Sequence, residues 1–530
     1  MLQTTRSYGG MVVAPHHHAA QAGLRVLQDG GNAIEAVVAA AAAITVAYPH
    51  MNALGGDNFW LINVPGTDVI GIDACGAAAK EADIDFYRKL GFSAVPSRGH
   101  LAALTVAGAV SGWQEALEVS RELCGGTLPL GRLLEDAIYH AETGVAVTKT
   151  LASNAASKLV ELKEAPGFKE TYLINGALPA EGEKFMQPRI AETFRRLADA
   201  GLDDFYRGKL AQSIATDLER VGSPLQLVDL ERHRALRINP LMLNVAGHTV
   251  YNMPPPTQGL ASLLLLGVYD RLDVKQAETF DYVHGLVEAT KCAFRVRDQI
   301  VTDPAYMDLD PANFLTAPAL DRMAADVDMK AAQPWPDASS KGDTVWLGAV
   351  DSQGRAVSFI QSIYWEFGSA TVLEETGITW QNRGTSFSLD PNHHNCLKPY
   401  RRPFHTIQPA LARLIDGSVM PYGSMGGEGQ PQTQGMVFSR YVLHGQELQQ
   451  AVTAPRWLLG RTWGQEATNL RIEKRFDPTI IKALRSVGHD IEEIGQFDEV
   501  MGHAGALAHH PNGLIEGAAD PRGDGIAAAF

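Results

Sequence analysis

Two apolar runs of strand length, residues 345–350 and 356–363, flank the turn Asp351-Ser352-Gln353-Gly354. That spacing predicts a β-hairpin. Directly ahead of its first strand stands Thr344, preceded by Lys341-Gly342-Asp343. Residues 323–342 are polar and carry Pro, Asp, Ser and Lys, the composition of an exposed, cleavable linker. Scission of the Asp343-Thr344 bond would set a free α-amine beside the Thr344 hydroxyl. A threonine paired with its own terminal amine is an activated nucleophile. The arrangement points to a chain that cuts itself and then cuts amides.

Composition narrows the partners. With 530 residues, 45% hydrophobic and 20% charged, the chain can bury a large core, which excludes disorder as its main state. A formal charge of -15 repels phosphate backbones and anionic headgroups, and the sequence shows no compensating basic patch. Small molecules are the expected partners, with no nucleic acid and no membrane. Cys75, Cys124, Cys292 and Cys396 lie far apart, a pattern suited to a reducing compartment. The first eight residues lack the basic and apolar regions of an export signal, so a cytoplasmic protein is expected. The alanine-rich block at 33–47 carries Glu35 and is shorter than the about 20 apolar residues of a membrane span. It reads as a buried core helix, with Asn32 as its N-cap.

Punctuation gives the coarse order. Residues 1–130 alternate strand-like runs at 10–14, 59–64 and 69–74 with helical ones at 17–28 and 33–47, and Gly55-Gly56-Asp57 reads as a tight loop. Residues 131–330 read as mainly helical scaffold, with amphipathic segments at 190–200 and 280–302, broken by Met253-Pro254-Pro255-Pro256. A glycine-rich stretch at 423–429 precedes a helix predicted over 433–444. No repeat period is visible.

Gly342-Asp343-Thr344, Gly377-Ile378 with Gln381-Asn382-Arg383-Gly384, Arg401-Arg402-Pro403, and Gly423-Ser424-Met425-Gly426-Gly427 follow one another in an order that resembles the γ-glutamyltransferase family of N-terminal-nucleophile hydrolases. Val12-Val13-Ala14-Pro15-His16, Gly30-Gly31-Asn32-Ala33, the Met253 proline run and Glu288-Ala289-Thr290-Lys291 extend the likeness over nearly the whole chain. The resemblance implies an α/β fold, the four-layer αββα sandwich with two central antiparallel sheets. It also implies a proenzyme cut into a large subunit, 1–343, and a small one, 344–530. The two fragments would stay together as a heterodimer, with a dimer of heterodimers as a further association. Thr344 would be the nucleophile, and the backbone amides of Gly426 and Gly427 would form the oxyanion hole. No cofactor and no metal are implied.

At its substrate-reading positions the chain departs from the family's glutathione-cleaving members. They hold an α-amine with a Gln and an acidic residue, where this chain has Arg383 and Ser386. Their carboxylate-binding arginine has no counterpart among Lys80-Glu81-Ala82-Asp83, and their twin serines are replaced by His405-Thr406. A guanidinium and an imidazole suit a carboxylate. The expected substrate is a small acid amide without an amine, oxamate being the simplest fit; the resemblance implies its hydrolysis to oxalate and ammonia in purine breakdown. Arg383, His405 and Thr406 would bind the carboxylate, and Ser362 would meet the Thr344 amine or hydroxyl. The alternatives are a γ-glutamyltransferase or glutathione hydrolase, and a non-catalytic binding homologue.

Two histidine clusters, His16-His17-His18 and His393-His394, resemble ligand sets, but adjacent histidines are expected to point apart and no partner set has zinc-site spacing. Glu288, Lys291 and Arg295 share a helical face and read as a solvated or bridging charge row.

Overall fold

A computed structural model describes residues 3–335, 343–460 and 468–530, with residue 343 described by its backbone. The predicted hairpin is present as Asp343–Asp351 paired with Ala356–Tyr364, and it lies at the centre of a seven-stranded sheet. Across this sheet the order is Ile526–Ala529, Gly10–Ala14, Asp343–Asp351, Ala356–Tyr364, Asp57–Asn63, Ile70–Ala74 and Leu236–Ile238. A second sheet of seven runs Thr5–Ser7, Ile515–Ala519, Ala504–His509, Val419–Ser424, Ala410–Arg413, His248–Asn252 and Leu241–Val245. Every neighbouring pair in both sheets is antiparallel.

Period-two alternation sorts the side chains between layers. Met11 and Val13, Phe59 and Leu61, and Trp346 and Val350 pack together with Leu411, Leu507 and Ile515 of the other sheet, forming the layer between the sheets. The intervening residues Val12, Trp60, Ile62, Val345 and Leu347 join a core with the helices His17–Gln28 and Ala33–Ala47. On the outer face of the second sheet, Gly259–Asp270, Phe280–Ile300 and Gly429–Phe438 close the other helical layer. The result is the expected αββα sandwich.

The alanine-rich helix is buried along its whole length. Its one charged residue is accounted for: Glu35 accepts from the Asn32 and Leu128 amides (2.9 and 3.0 Å), while Asn32 caps the helix in return.

Two expectations need correction, and a third, which left two alternatives, is decided. The middle region supplies Leu236–Ile238, at one edge of the first sheet, and His248–Asn252 with Leu241–Val245, the last two strands of the second, so it is more than helical scaffold. Their short, half-exposed pattern gives little apolar alternation to read. The helix predicted over 433–444 begins earlier, as Gly429–Phe438, and continues as a π-helical turn, Ser439–Leu443. Glu288 and Lys291 are buried, joined at 2.6 Å, and both hold Gln333, through its amide and its carbonyl respectively. The charge row therefore bridges to the described part of the linker, whose residues 336–342 lie outside the described residues.

Candidate active site

The layer between the sheets is apolar along most of its length and turns polar at one end. Asp57 stands two residues ahead of Phe59, Ser362 two after Ile360, and Thr344 two ahead of Trp346. Ser362 and Asp57 are register partners, and the pairing of the central hairpin shifts between Asp343 and Val345, opposite Ser362. Such bulges re-aim side chains at functional sites. In the intact chain Thr344 is buried, and its Oγ1 accepts from Gln430 Nε2 at 3.3 Å.

Arg383, in the short 3-10 turn Arg383–Ser386, is fully buried at this end. Its Nη1 donates to Thr406 Oγ1 (3.3 Å) and its Nη2 to Ser362 Oγ (3.4 Å), and its guanidinium lies 3.9 Å from the centre of the Tyr364 ring. Among the described residues no carboxylate comes within ion-pair distance, and Nε has no hydrogen-bond partner. Burial lowers its pKa to about 10, so it remains a cation at neutral pH. Tyr364 is held at φ +82°, a left-handed conformation that is strained for an aromatic residue. Ser362 Oγ also accepts from the Tyr364 amide at 2.8 Å, so this hydroxyl fixes the Arg383–Tyr364 stack.

His405 packs edge-on against Phe59, with Nε2 3.5 Å from Asp57 Oδ2. Burial, with Arg383 and Arg402 nearby, drives its pKa well below the usual imidazole value. His405 is therefore a neutral donor and not the cation that a carboxylate clamp would use. Asp57 is one site residue that sequence reasoning missed, passed over as part of a glycine loop. Burial raises its pKa to about 7 against the opposing effects of Arg383, the Gly76 and Gly108 amides and the nearby Gln381.

The second sheet contributes the loop after Val419–Ser424. Gly426 (φ +114°) and Gly427 (φ +51°) take up conformations that favour glycine, and the helix Gly429–Phe438 starts immediately beyond. Gln258 Nε2 ties Gly427 to Thr406 by donating to both carbonyls (2.8 and 2.6 Å). Gln258 Oε1 accepts from Arg297, which in turn lies 3.6 Å from buried Glu428. Gln430, Gln258, Arg297 and Glu428 were not singled out from sequence. The available signal was a run of three glutamines, at 430, 432 and 434, in a helix that is buried on every side.

The structure thus brings Ser362, Arg383 and Thr406 into direct contact, sets His405 beside Asp57, and links Thr344 to the Gly426-Gly427 loop through Gln430. Among the described residues, His284, Glu288 and His489 form one group with metal-ligand character. Lys291 Nζ already sits on Glu288, and His284 Nδ1 meets His489 Nε2 at 2.8 Å, so an ammonium fills the place a cation would take. The rings of His16, His17 and His18 lie 4.2–5.1 Å apart, one pair stacked and two tilted, instead of diverging as expected, and burial lowers His16 to about 2 and His18 to about 4.

The family model described as gamma-glutamyltranspeptidase matches residues 19–530. The chain belongs to the γ-glutamyltranspeptidase family. The oxamate amidohydrolase proenzyme of Klebsiella pneumoniae is 55% identical over 521 residues, covering 98% of each chain. A glutathione hydrolase-like proenzyme of Bacillus subtilis, YwrD, is 40% identical over 520 residues, again 98% of each. Among solved structures, cephalosporin acylase from Bacillus halodurans superposes with a TM-score of 0.92 at 32% identity, covering 100% of this chain and 97% of that one. The family member described here is accordingly an amidohydrolase of the N-terminal-nucleophile class, made as a self-cleaving proenzyme, and its substrate is an amide. Among the described residues no helix is long and apolar enough to cross a membrane.

Proposed function

We propose that the chain cleaves its own Asp343-Thr344 bond to give fragments 1–343 and 344–530, which remain associated. In this reading it then hydrolyses a small acid amide, oxamate, to oxalate and ammonia in the cytoplasm as a step of purine breakdown. The observation that carries the substrate class is Arg383: a fully buried guanidinium with two hydroxyl partners, an aromatic face and no carboxylate in ion-pair range among the described residues. A buried cation left in that state costs folding free energy unless an anion joins it. A substrate carboxylate supplies that anion. The 55% identity to an oxamate amidohydrolase proenzyme supports the same substrate.

The chemistry follows from the placement. Thr344 Oγ attacks the amide carbon while its own α-amine, which titrates near 7.7–8.0 in model compounds, takes the hydroxyl proton. Negative charge develops on the former carbonyl oxygen, to be met by the amides of Gly426 and Gly427 ahead of the helix Gly429–Phe438. Collapse breaks the C–N bond, the ammonium returns its proton to the departing nitrogen, and ammonia leaves. Water then adds to the acyl-threonine ester and releases oxalate, with the amine again accepting and returning a proton.

Intact mass and N-terminal sequencing of the small fragment test the scission, with Thr344 as the expected first residue. Thr344→Ala is expected to leave one full-length polypeptide with no amidase activity. An ammonia assay on oxamate beside a γ-glutamyl anilide assay tests the substrate. Faster turnover of the anilide would overturn the acid-amide reading.

A further inference from the structure

We propose that Asp57, in its protonated form, is a second holder of the substrate's carboxylate and sets the pH range over which the acid amide binds. This rests on the reading of Arg383 as the anion holder and adds a residue to it.

One carboxyl oxygen of Asp57 is fully used and the other is open. Oδ1 accepts from the amides of Gly76 (3.0 Å) and Gly108 (2.9 Å). Among the described residues Oδ2 is buried and no group makes a well-formed hydrogen bond to it, although the Gln381 side chain stands close enough to favour the ionised acid. Beside it, among the described residues, His405 leaves both ring nitrogens without a hydrogen-bond partner, its Nε2 lying 3.5 Å from Oδ2. Arg383 Nε is likewise unpartnered, and Arg383 is the strongest charged influence on both Asp57 and His405. Three fully buried polar side chains from three separate segments thus leave atoms open at one end of the layer between the sheets. Open buried polar atoms are rare in folded proteins, and here a ligand oxygen would satisfy them. Protonated Asp57 donates from Oδ2 to that oxygen. Ionised Asp57 would oppose the ligand charge for charge.

The surrounding groups leave Asp57 as the one that changes charge near neutrality. Arg383, though lowered to about 10, stays cationic. Arg402 is raised, burial being outweighed by Cys75, Asp73 and Asp303. Burial keeps His405 neutral and pushes the Cys75 thiol and the Tyr206 phenol up. With Asp57 near 7, the binding-competent fraction falls from about nine-tenths at pH 6 to about one-tenth at pH 8, and apparent affinity falls about tenfold.

The test is competitive inhibition of the processed enzyme by oxalate between pH 5.5 and 8.5. The expected result is a Ki that weakens about tenfold from pH 6 to pH 8 in the native enzyme. Asp57→Asn keeps a carbonyl oxygen for Gly76 and Gly108 and places an amide N–H where the acid proton was, so its Ki stays flat. A pH-independent Ki in the native enzyme overturns the proposal without any variant. So does an equal slope in Asp57→Asn, which would assign the titration to the Thr344 amine. If oxalate fails to compete at any pH, the Arg383 reading falls, and this inference with it.

Discussion

Two buried acids in this protein meet arginines and end in opposite states. Asp520 sits between Arg456 (2.6 Å) and Arg522 (3.0 Å), and Arg522 is further paired with Glu473 (2.7 Å), which also holds Arg475 (2.6 Å). Burial pushes the Asp520 carboxyl up, but Arg456 and Arg522 overrule it and hold the pKa at about 2. At Asp57 burial wins over Arg383 and the pKa rises to about 7. The difference is geometric. In the first cluster each acid has arginine nitrogens within bonding distance; at Asp57, among the described residues, the groups that come that close are neutral, the Gly76 and Gly108 amides and the His405 imidazole. Acids and bases that stabilise the fold are matched to each other, whereas Arg383 and Asp57 are each left short of a partner at the end of the sandwich where Thr344 stands.

This contrast can be broken most severely at Arg383. Arg383→Met is expected to lower kcat/KM for oxamate by about a thousandfold, from loss of a buried charge-assisted contact. The melting temperature should hold or rise, since an unpaired buried cation is removed. A large fall in melting temperature would make Arg383 a structural residue. In the matched cluster the pattern inverts. Glu473→Gln leaves Arg475 without its acid and Arg522 with Asp520 alone, and is expected to cost about 3 kcal/mol in chemical denaturation with little change in KM.

The acids sharpen the comparison through pH. The folded pKa of Asp57 is raised from 3.8 to about 7, so between about pH 4 and 7 the folded state keeps a proton that the unfolded state has released. Stability therefore falls as pH rises through that window. Asp57→Asn should be more stable than the native protein by a few kcal/mol at pH 8, the gap closing toward pH 4. Asp520 acts with the other sign: its stabilisation is present above about 4 and is lost as pH falls toward 2. Equal pH slopes in the native and Asp57→Asn proteins would contradict the raised value. The smallest effect belongs to Tyr364. Replacing its ring in Tyr364→Leu removes a cation–π contact worth about 0.5–2 kcal/mol, raising KM for oxamate several-fold with kcat little changed.

Where one periodic signal governed an element, the sequence made it legible. The hairpin followed from alternation around Asp351-Ser352-Gln353-Gly354, and the alanine helix from its length and its Asn32 cap. Thr344, Arg383 and Thr406 were reached through ordered motifs, and the structure sets the latter two in contact. Asp57 was not reached, because its neighbours at the site come from positions 362, 383 and 405, and no local spacing links residues so far apart. The sequence shows His405 as an imidazole but not its burial, and burial is what makes it neutral. The strands at 236–252 were missed because each is only three to five residues long and Leu241-Met242-Leu243 runs apolar without alternation.

The strand order has one more consequence. Gly10–Ala14 is hemmed in by Ile526–Ala529 on one side and Asp343–Asp351 on the other, while His248–Asn252 and Thr5–Ser7 bracket four strands from the C-terminal part in the opposite sheet. The proposed nick ahead of residue 344 would therefore sever the covalent thread without loosening the weave. Neither piece could then be swapped into another molecule unless both sheets were first unpicked, so birth as a single polypeptide would guarantee each half its mate.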